Sequence, residues 1–476
     1  MVDALRSLFK ARFGEAVQTA APLEGDGSQR KLFRLTSRQR SVIGASNQDL
    51  QENKAFLGFS KHFRRGGLPV PEIYAEDPGG RIYLEEDLGD TTLFEMLSAQ
   101  RNGGGFSQSV IDMYRQVARI LPRFQVEAGK TLNYKLCYPR GSFDKQSMMW
   151  DLNYFKYYFL RLSHIPFDEQ ALENDFRHFV DFLLAAERDF FLYRDFQSRN
   201  IMIRDGKPYF IDYQGGRKGA LQYDIASLLF DAKADIPFEL RDELLRHYLE
   251  AVSQAVKISR DEFMKYYPGY VYVRIMQALG AYGLRGFYER KPHFLQSIPY
   301  AVRNLEHQLR TTELPVKLPA LMQIFKRMVA SSALRQFGKA SLKLTVRIES
   351  FSYHKGMPAD DKGHGGGYVF DCRALPNPGQ QAEFSRLTGK DKAVIEYLEQ
   401  QPALERFMKA VCEMVDPAVE NYQTRNFTDL MVAFGCTGGQ HRSVYCAERL
   451  AGHLRAKYHV AVKVRHREQQ KEGAAQ

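Results

Sequence analysis

One stretch restricts the fold more than any other. It reads Tyr193-Arg194-Asp195-Phe196-Gln197-Ser198-Arg199-Asn200, followed by Ile211-Asp212-Tyr213-Gln214-Gly215. Asp195 lies five residues before Asn200, and Asp212 lies 12 residues after it. Asp212 ends an apolar strand run and precedes an aromatic residue and a glycine. A hairpin at this spacing brings two carboxylates and an amide together. Phosphoryl transfer needs such a set: one carboxylate to receive a hydroxyl proton and orient the attacking oxygen, and an amide oxygen plus a second carboxylate to hold Mg²⁺ against a nucleoside triphosphate. Two unrelated Asp-containing turns are the competing reading.

The pattern around the hairpin divides the chain in three. Residues 26–90 read as strands and turns about one helix, which starts near Asp49 and ends at Gly66-Gly67. From about 91 to 325 apolar residues recur at i, i+3, i+4, the period of amphipathic helices. From about 341 short apolar strands return, with helices between and after them, as in an α/β domain. The segment 326–340 is the expected linker. At the N-terminus Leu5, Leu8 and Phe9 share a helical face, and no signal peptide is expected there. The aromatic run around Trp150, Tyr154, Tyr157 and Tyr158 shares another face and reads as core, with Asp151 and Trp150 as weaker substrate candidates.

Charge and cysteine usage narrow the function classes. The net charge is +11, and the residues from 331 onward are about twice as charge-dense as the rest. Lys457, Lys463, Arg465, Arg467 and Lys471 cluster at the end and would attract phosphates, on a metabolite or on a nucleic-acid backbone. A solvated, frayed tail is the plainer reading. The five cysteines form no CxxC pair, which argues for a reducing cytoplasm and against a disulfide or zinc framework. No apolar run reaches the roughly 18 to 20 residues a membrane span needs.

A second loop lies near the C-terminus: Ala433-Phe434-Gly435-Cys436-Thr437-Gly438-Gly439-Gln440-His441-Arg442-Ser443, between a strand and a helix. Glycines let backbone N–H groups approach an anion, and the helix amino end adds positive potential. The spacing from Cys436 to Arg442 also fits a C-x₅-R phosphatase loop, with Asp371, Asp360 or Asp361 as candidate general acids.

Two family resemblances extend these readings. Residues 1–325 resemble the aminoglycoside phosphotransferase branch of the kinase-like fold, and within it the bacterial anomeric amino-sugar kinases. The matching pieces are Gly25-Asp26-Gly27-Ser28-Gln29-Arg30 with Phe33-Arg34, Glu52-Asn53, the hinge Leu84-Glu85-Glu86-Asp87-Leu88-Gly89, and Tyr223-Asp224-Ile225-Ala226-Ser227-Leu228-Leu229. The resemblance implies Asp195 as catalytic base, Asn200 and Asp212 as Mg²⁺ ligands, and Ser28, Arg30, Glu52, Glu86 and Leu88 around ATP. Asp224 would be structural. The usual His-Arg-Asp is Tyr193-Arg194-Asp195, and Ser41-Val42-Ile43-Gly44 lacks the strand Lys that grips phosphate. Arg30, in preference to Arg34, is the expected replacement. Residues from about 342 to the end resemble the C-terminal domain of the RapZ family, through Ile348-Glu349-Ser350-Phe351-Ser352-Tyr353, Val369-Phe370-Asp371-Cys372-Arg373, Leu375-Pro376-Asn377-Pro378, Leu387-Thr388-Gly389-Lys390-Asp391 and the 435–443 loop. That resemblance implies a site for glucosamine 6-phosphate at Thr437, Gly438, Gly439, His441, Arg442 and Ser443, with Arg373 and Asn377. It also makes RNA a candidate partner of the basic end. The sequence differs from that family at Gly379-Gln380 and by the insertion at 362–367.

The expected fold is therefore α/β and α+β multidomain: a bilobal kinase-like domain over 1–325 (N-lobe about 1–88, C-lobe about 91–325), and a smaller α/β domain over 341–476. The expected function is ATP- and Mg²⁺-dependent phosphorylation of an amino sugar of cell-wall metabolism, of N-acetylmuramate or N-acetylglucosamine type. The alternative is an inactive kinase fold that serves as a metabolite-sensing regulator of RNA or protein.

Overall fold

The computed structural model describes residues 1–23, 30–101, 106–337, 344–359, 367–424, 427, 429–458 and 460–469. The chain falls into two compact units, Met1–Gly338 and Lys339–Gln476.

The first unit opens with α1 (Val2–Phe13), β1 (Thr19–Leu23), β2 (Lys31–Thr36), β3 (Ser41–Ser46), α2 (Leu50–Arg65), β4 (Ile73–Glu76) and β5 (Ile82–Glu86). The strands make one antiparallel sheet in the order β1-β2-β3-β5-β4. The amphipathic pattern of α1 is realised as packing: Leu5 and Phe9 are fully buried with Leu35, Val42 and Leu84 of the sheet. Asp49 caps α2 by accepting from the N–H groups of Gln51 and Glu52, and Gly66 and Gly67 (φ 68°) end it.

Helices then dominate: α3 (Leu93–Arg101), α4 (Gln108–Pro122), α5 (Lys145–Phe155), α6 (Glu169–Leu184), α7 (Gln222–Leu229), α8 (Phe238–Ala255), α9 (Arg260–Tyr282), α10 (Pro292–Leu295), α11 (Ile298–Thr311), α12 (Pro319–Ala330) and α13 (Ser332–Gln336). Ser107, Asp144, Asp168 and Ser259 accept from first-turn N–H groups of α4, α5, α6 and α9. Between α6 and α7 run four short strands. β6 (Phe190–Leu192) pairs β9 (Arg217–Gly219), and β7 (Ile201–Arg204) pairs β8 (Lys207–Phe210).

Two expectations need correction. The segment 326–340 is not all linker: α12 continues to Ala330 and α13 to Gln336, and Met328 and Leu334 are buried in the core of the first unit. Nor is the Trp150 face core. Trp150, Tyr157 and Tyr158 are 48%, 48% and 38% exposed, while Met148, Leu152, Phe155 and Phe159 carry the packing. A wider π turn over Lys156–Leu160 breaks the 3.6-residue register. The exposed rings lie beside cations: Arg140 is 5.6 Å from the Trp150 ring and Lys156 is 4.5 Å from Tyr157.

The second unit is a parallel α/β sheet. Its elements are β10 (Thr345–Ser352), β11 (Tyr368–Asp371), α14 (Lys392–Glu399), α15 (Pro402–Thr424), β12 (Asp429–Cys436), α16 (Arg442–Lys457) and β13 (Ala461–His466). The strand order is β11-β12-β10-β13, with every neighbour parallel. β12 is central, and Leu430 through Cys436 are all buried, as its apolar run requires. In such sheets ligands bind outside the carboxyl ends of the strands. Ser352, Asp371 and Cys436 end β10, β11 and β12 on that edge.

Candidate functional site

In the first unit the hairpin closes as its spacing demands. Asn200 donates from Nδ2 to the Asp195 carbonyl (2.9 Å) and to Asp212 Oδ2 (3.2 Å). Asp195, Asn200 and Asp212 therefore meet. Asp212 is held at φ 67° and Arg194 at φ 86°, a left-handed conformation that costs non-glycine residues energy and that the surrounding packing must hold. Burial, and then the Asp195 charge, push the Asp212 carboxyl above its ordinary range. Gln214 donates to Asp212 Oδ1 at 2.7 Å and to Glu52 at 3.3 Å.

Arg30, the expected replacement for the strand lysine, lies just before β2. Its Nη2 lies 2.9 Å from Glu52 Oε1, and its guanidinium stacks 5.0 Å from the Phe56 ring. Burial opposes its charge, but Tyr83, Glu52, Asp212 and Glu85 outweigh that and hold its pKa above the ordinary value. Arg34 is committed elsewhere, to Asp87 and Asp90, both at 2.8 Å. Glu86 is not aimed at the cleft. Its N–H donates to the Glu72 carbonyl (2.9 Å) and its side chain accepts from Arg204 (2.7 Å). Leu88 is buried at the hinge turn, before Gly89 at φ 83°. Ser28 lies outside the described residues.

A second layer of charges was not expected. Arg194 makes a two-pronged pair with Asp151 (2.6 and 2.7 Å) and reaches the Tyr223 hydroxyl (2.7 Å). Asp151 is thus a brace for the residue beside Asp195, and is not free to meet a substrate. Arg274 is buried, bonds Tyr223 and Gln277, and stands 4.0 Å from Asp195 Oδ1. Arg217 is 7% exposed, bonds the Gly215 carbonyl through Nε (3.0 Å), and has no carboxylate partner among the described residues. Burial and the Arg194 charge push its pKa below the ordinary value. Asp224 accepts the N–H groups of Tyr193 (2.8 Å) and Arg194 (3.0 Å), which hang the loop before Asp195 on α7. Burial pushes its carboxyl up to about 6.

Glu85 gives a pH test. Burial pushes its carboxyl from 4.5 up to about 7, against the opposing Arg30 charge. The folded state then binds its proton more tightly than the unfolded chain, so stability falls as pH rises from about 4.5 to 7. Glu85→Gln should remove that part of the slope and stabilise the protein at pH 8 by up to on the order of 3 kcal/mol. Urea melts at pH 5 and pH 8 check it. An unchanged pH dependence in the variant would refute the assignment.

In the second unit the loop after β12 sits at the carboxyl edge of the sheet. Gly439 adopts φ 72°, and a Cβ there would come within 2.8 Å of the Ser352 backbone nitrogen. The Ser352 hydroxyl donates to the Thr437 carbonyl (2.6 Å), and Gly438 faces open space. Arg373 is an exposed cation at the mouth, paired with Asp371 and 4.0 Å from the Tyr353 ring. Asn377 caps its own turn through Gly379 N–H, and His441 Nε2 lies 2.9 Å from the Phe384 carbonyl. Arg442 differs from expectation. It is 4% exposed, and its Nη1 donates to the carbonyls of Arg373 and Leu375, both at 2.9 Å. Its Nη2 is 3.4 Å from Thr437 Oγ1. It ties the β11 and β12 loops together before it meets any ligand.

The phosphatase reading loses support here. Cys436 is buried, with Sγ 3.2 Å from Ser443 Oγ. The Arg373 hydrogen bond holds the Asp371 carboxyl below its ordinary range, so it has no proton to give at neutral pH. Asp360, Asp361 and residues 362–366 of the insertion lie outside the described residues, as does Lys471.

Comparison with known proteins gives the same division. A family model described as the phosphotransferase enzyme family matches residues 19–260, and one described as the RapZ C-terminal domain matches 344–470. A nucleotide-binding protein of Xylella fastidiosa is 42% identical over 126 residues, 26% of this chain and 42% of its own length. One of Xanthomonas campestris is 38% identical over 147 residues, 31% of this chain and 49% of its own. The chain thus spans under half of these relatives. Among solved structures, choline kinase from Cryptosporidium parvum has TM-score 0.45 at 12% identity, covering 71% of this chain and 99% of its own. Ethanolamine kinase from Plasmodium vivax has TM-score 0.43 at 14% identity, covering 61% of this chain and 82% of its own. With the family model spanning the strands and hairpin that carry Arg30, Glu52, Asp195, Asn200 and Asp212, the chain belongs to the phosphotransferase enzyme family, its first unit a kinase-type domain and its second a RapZ C-terminal domain.

Proposed function

We propose that the first unit is an ATP-dependent kinase for a hydroxyl of an amino sugar of cell-wall metabolism, and that the second unit binds a phosphorylated amino sugar such as glucosamine 6-phosphate. The observation that carries the reading is the meeting of Asp195, Asn200 and Asp212 beside the Arg30–Glu52 pair. Asp195 receives the hydroxyl proton and aligns the oxygen. Asn200 and Asp212 offer an all-oxygen donor set, which suits Mg²⁺ held jointly with phosphate oxygens. The metal, when bound, offsets phosphate charge. Arg30 grips the phosphates from the other wall, and Glu52 fixes its direction. The alternative, a regulator without turnover, rests on the missing β3 lysine. The Arg30–Glu52 pair fills that place and favours the enzyme.

Charge on the acceptor side favours one sugar. Arg194 pairs with Asp151, and Arg274 lies near Asp195 and Asp224, whereas Arg217 is buried with no carboxylate paired to it among the described residues. A single carboxylate on the acceptor would balance it, as N-acetylmuramate has and N-acetylglucosamine lacks. ATP consumption with the two sugars should favour N-acetylmuramate by about tenfold, the equivalent of about 1.4 kcal/mol. Arg217→Gln should erase the preference. Phosphorylation of neither sugar would sink the amino-sugar reading.

For the second unit, the placement of Thr437, Gly438, Gly439 and Arg373 on the ligand-binding edge supports a phosphosugar site. Cys436→Ser should leave glucosamine 6-phosphate affinity nearly unchanged, since the thiol is buried against the Ser443 hydroxyl. Arg442→Ala should weaken it about thirtyfold, as two carbonyl tethers and a cation are lost together. Calorimetric titration separates the two, and phosphate release that depends on Cys436 would restore the phosphatase. Lys463 and Arg465 are exposed on the edge strand β13 and keep RNA as a second reading. β13 pairs β10, so neutral substitutions at those two residues test this better than truncation. No described helix is long and apolar enough to cross a membrane, and the cytoplasm is the setting we propose.

A further inference from the structure

A cavity of about 730 Å³ lies against the carboxyl half of α2, away from the cleft. Its apolar lining includes Leu68, Ala128 and Leu132, all buried. Its basic lining is Lys61, Arg65 and Arg123, with the His62 ring among them, and its one carboxylate, Glu127, lies 3.8 Å from Arg123. Lys61 bonds Glu76 at 2.7 Å, and Arg123 reaches the Gly67 carbonyl at 3.2 Å. His62 Nε2 lies 2.9 Å from the Ala128 carbonyl, which anchors the ring in the wall. Arg65 bonds the Lys61 carbonyl through Nε (3.1 Å), and among the described residues no carboxylate pairs with it.

The position on α2 gives the cavity its meaning. At about 100° per residue, Gly58, Lys61, His62 and Arg65 share one face, and Glu52, Phe56, Ser60 and Phe63 the opposite one. The second face builds the catalytic centre. Glu52 holds Arg30, the Ser60 hydroxyl lies 2.6 Å from that of Tyr213, and the Phe56 and Phe63 rings each pack 5.3 Å from the Tyr213 ring. Tyr213 follows Asp212 directly. One rigid helix thus has the cavity on one side and the phosphate-gripping arginine on the other.

We propose that this cavity is a second anion site that takes a small organic phosphate, and that its occupancy is read through α2 at Arg30 and Asp212. Lys61 and Arg65, one turn apart, meet the phosphate, and the apolar lining meets the ring or chain that bears it. The regulatory half rests on the kinase reading above. The binding half does not.

The test uses the full chain and calorimetry with matched probes: inorganic phosphate, adenosine 5′-monophosphate against adenosine, and glucose 6-phosphate against glucose. Because the catalytic cleft and the 437–443 loop also attract phosphate, the readout is the difference between wild type and Lys61→Gln/Arg65→Gln. Both side chains are solvent-facing, so the variant should fold, and Arg123→Gln serves as a second, independent variant. At least one phosphate probe should lose a binding event, or at least tenfold in affinity, in both variants. The same probe should shift the wild-type KM for ATP at least threefold and leave that of the variants unmoved. Whether the nucleotide or the sugar phosphate responds identifies the source. Variants that titrate like wild type with every probe, or neutral parents that bind as well as their phosphates, overturn the site. Binding lost without any shift in KM overturns the transmission through α2. A wild type without turnover would refute the kinase reading, while the binding comparison would still decide the site.

Discussion

Asp195→Asn is expected to lower turnover on the order of 10³-fold while ATP still binds, because a positioned general base supplies roughly 10²–10⁴ in rate. The carboxylate is partly open to solvent and aligned by its neighbours, with Asn200 holding its backbone carbonyl and Arg274 4.0 Å from Oδ1. The amide of Asn cannot take the proton, yet it preserves shape and leaves the nucleotide side untouched. Asp212→Asn should fail differently. It removes a charge from the oxygen set proposed to hold Mg²⁺, so Mg·ATP affinity falls along with turnover. A coupled assay and equilibrium titration of ATP with and without Mg²⁺ separate the two variants. Wild-type turnover in Asp195→Asn would end the kinase assignment. Tight ATP binding without turnover in the wild type would instead favour the regulatory reading.

Asp151→Leu is expected to cost about 3–5 kcal/mol of stability, the usual penalty for leaving one member of a buried ion pair alone. Both side chains are nearly closed to water, at 15% for Arg194 and 10% for Asp151. Arg194 also sits at φ 86°, one residue before Asp195, the proposed base, so loss of its brace should lower activity as well as stability. Removal of both charges in Asp151→Leu/Arg194→Met should recover part of the lost stability, since neither group is then left unpaired. Denaturant melts of wild type, Asp151→Leu, Arg194→Met and the double variant give the coupling directly. If Asp151→Leu melts with the wild type, the pair contributes nothing and the brace is refuted.

Some of this was legible in the chain because it depends on neighbours in sequence. Asp195, Asn200 and Asp212 belong to one hairpin, and a hairpin's short connections leave little freedom in where its ends meet. Asp49 at the start of α2 and Gly66-Gly67 at its end are local capping chemistry. The strand, glycine loop and helix around residues 433–443 follow from an apolar run, Gly439's positive φ and a helix period. Arg30 was legible in part. The absence of a lysine in β3 called for another cation, and the partners of the two candidates, Glu52 for Arg30 and Asp87 with Asp90 for Arg34, came only with the fold.

Tertiary structure decided which charges are paired. Arg194 and Asp151 are 43 residues apart, and Arg274 lies 79 residues beyond Asp195. No local spacing announces such partners, because side-chain pairing at that distance follows from how α5, α7 and α9 pack around the loop at 193–200. The same holds for Trp150, Tyr157 and Tyr158, since the stripe Met148, Leu152, Phe155 and Phe159 on the opposite face of the helix is the one the rest of the unit buries. It holds for Glu86 and Arg442, whose hydrogen bonds go to backbone and side-chain partners on other segments rather than into a ligand site. Local spacing thus determined which residues carry the chemistry. Long-range burial determined which of their charges are left uncompensated, since desolvation makes a charge's cost depend on everything packed around it.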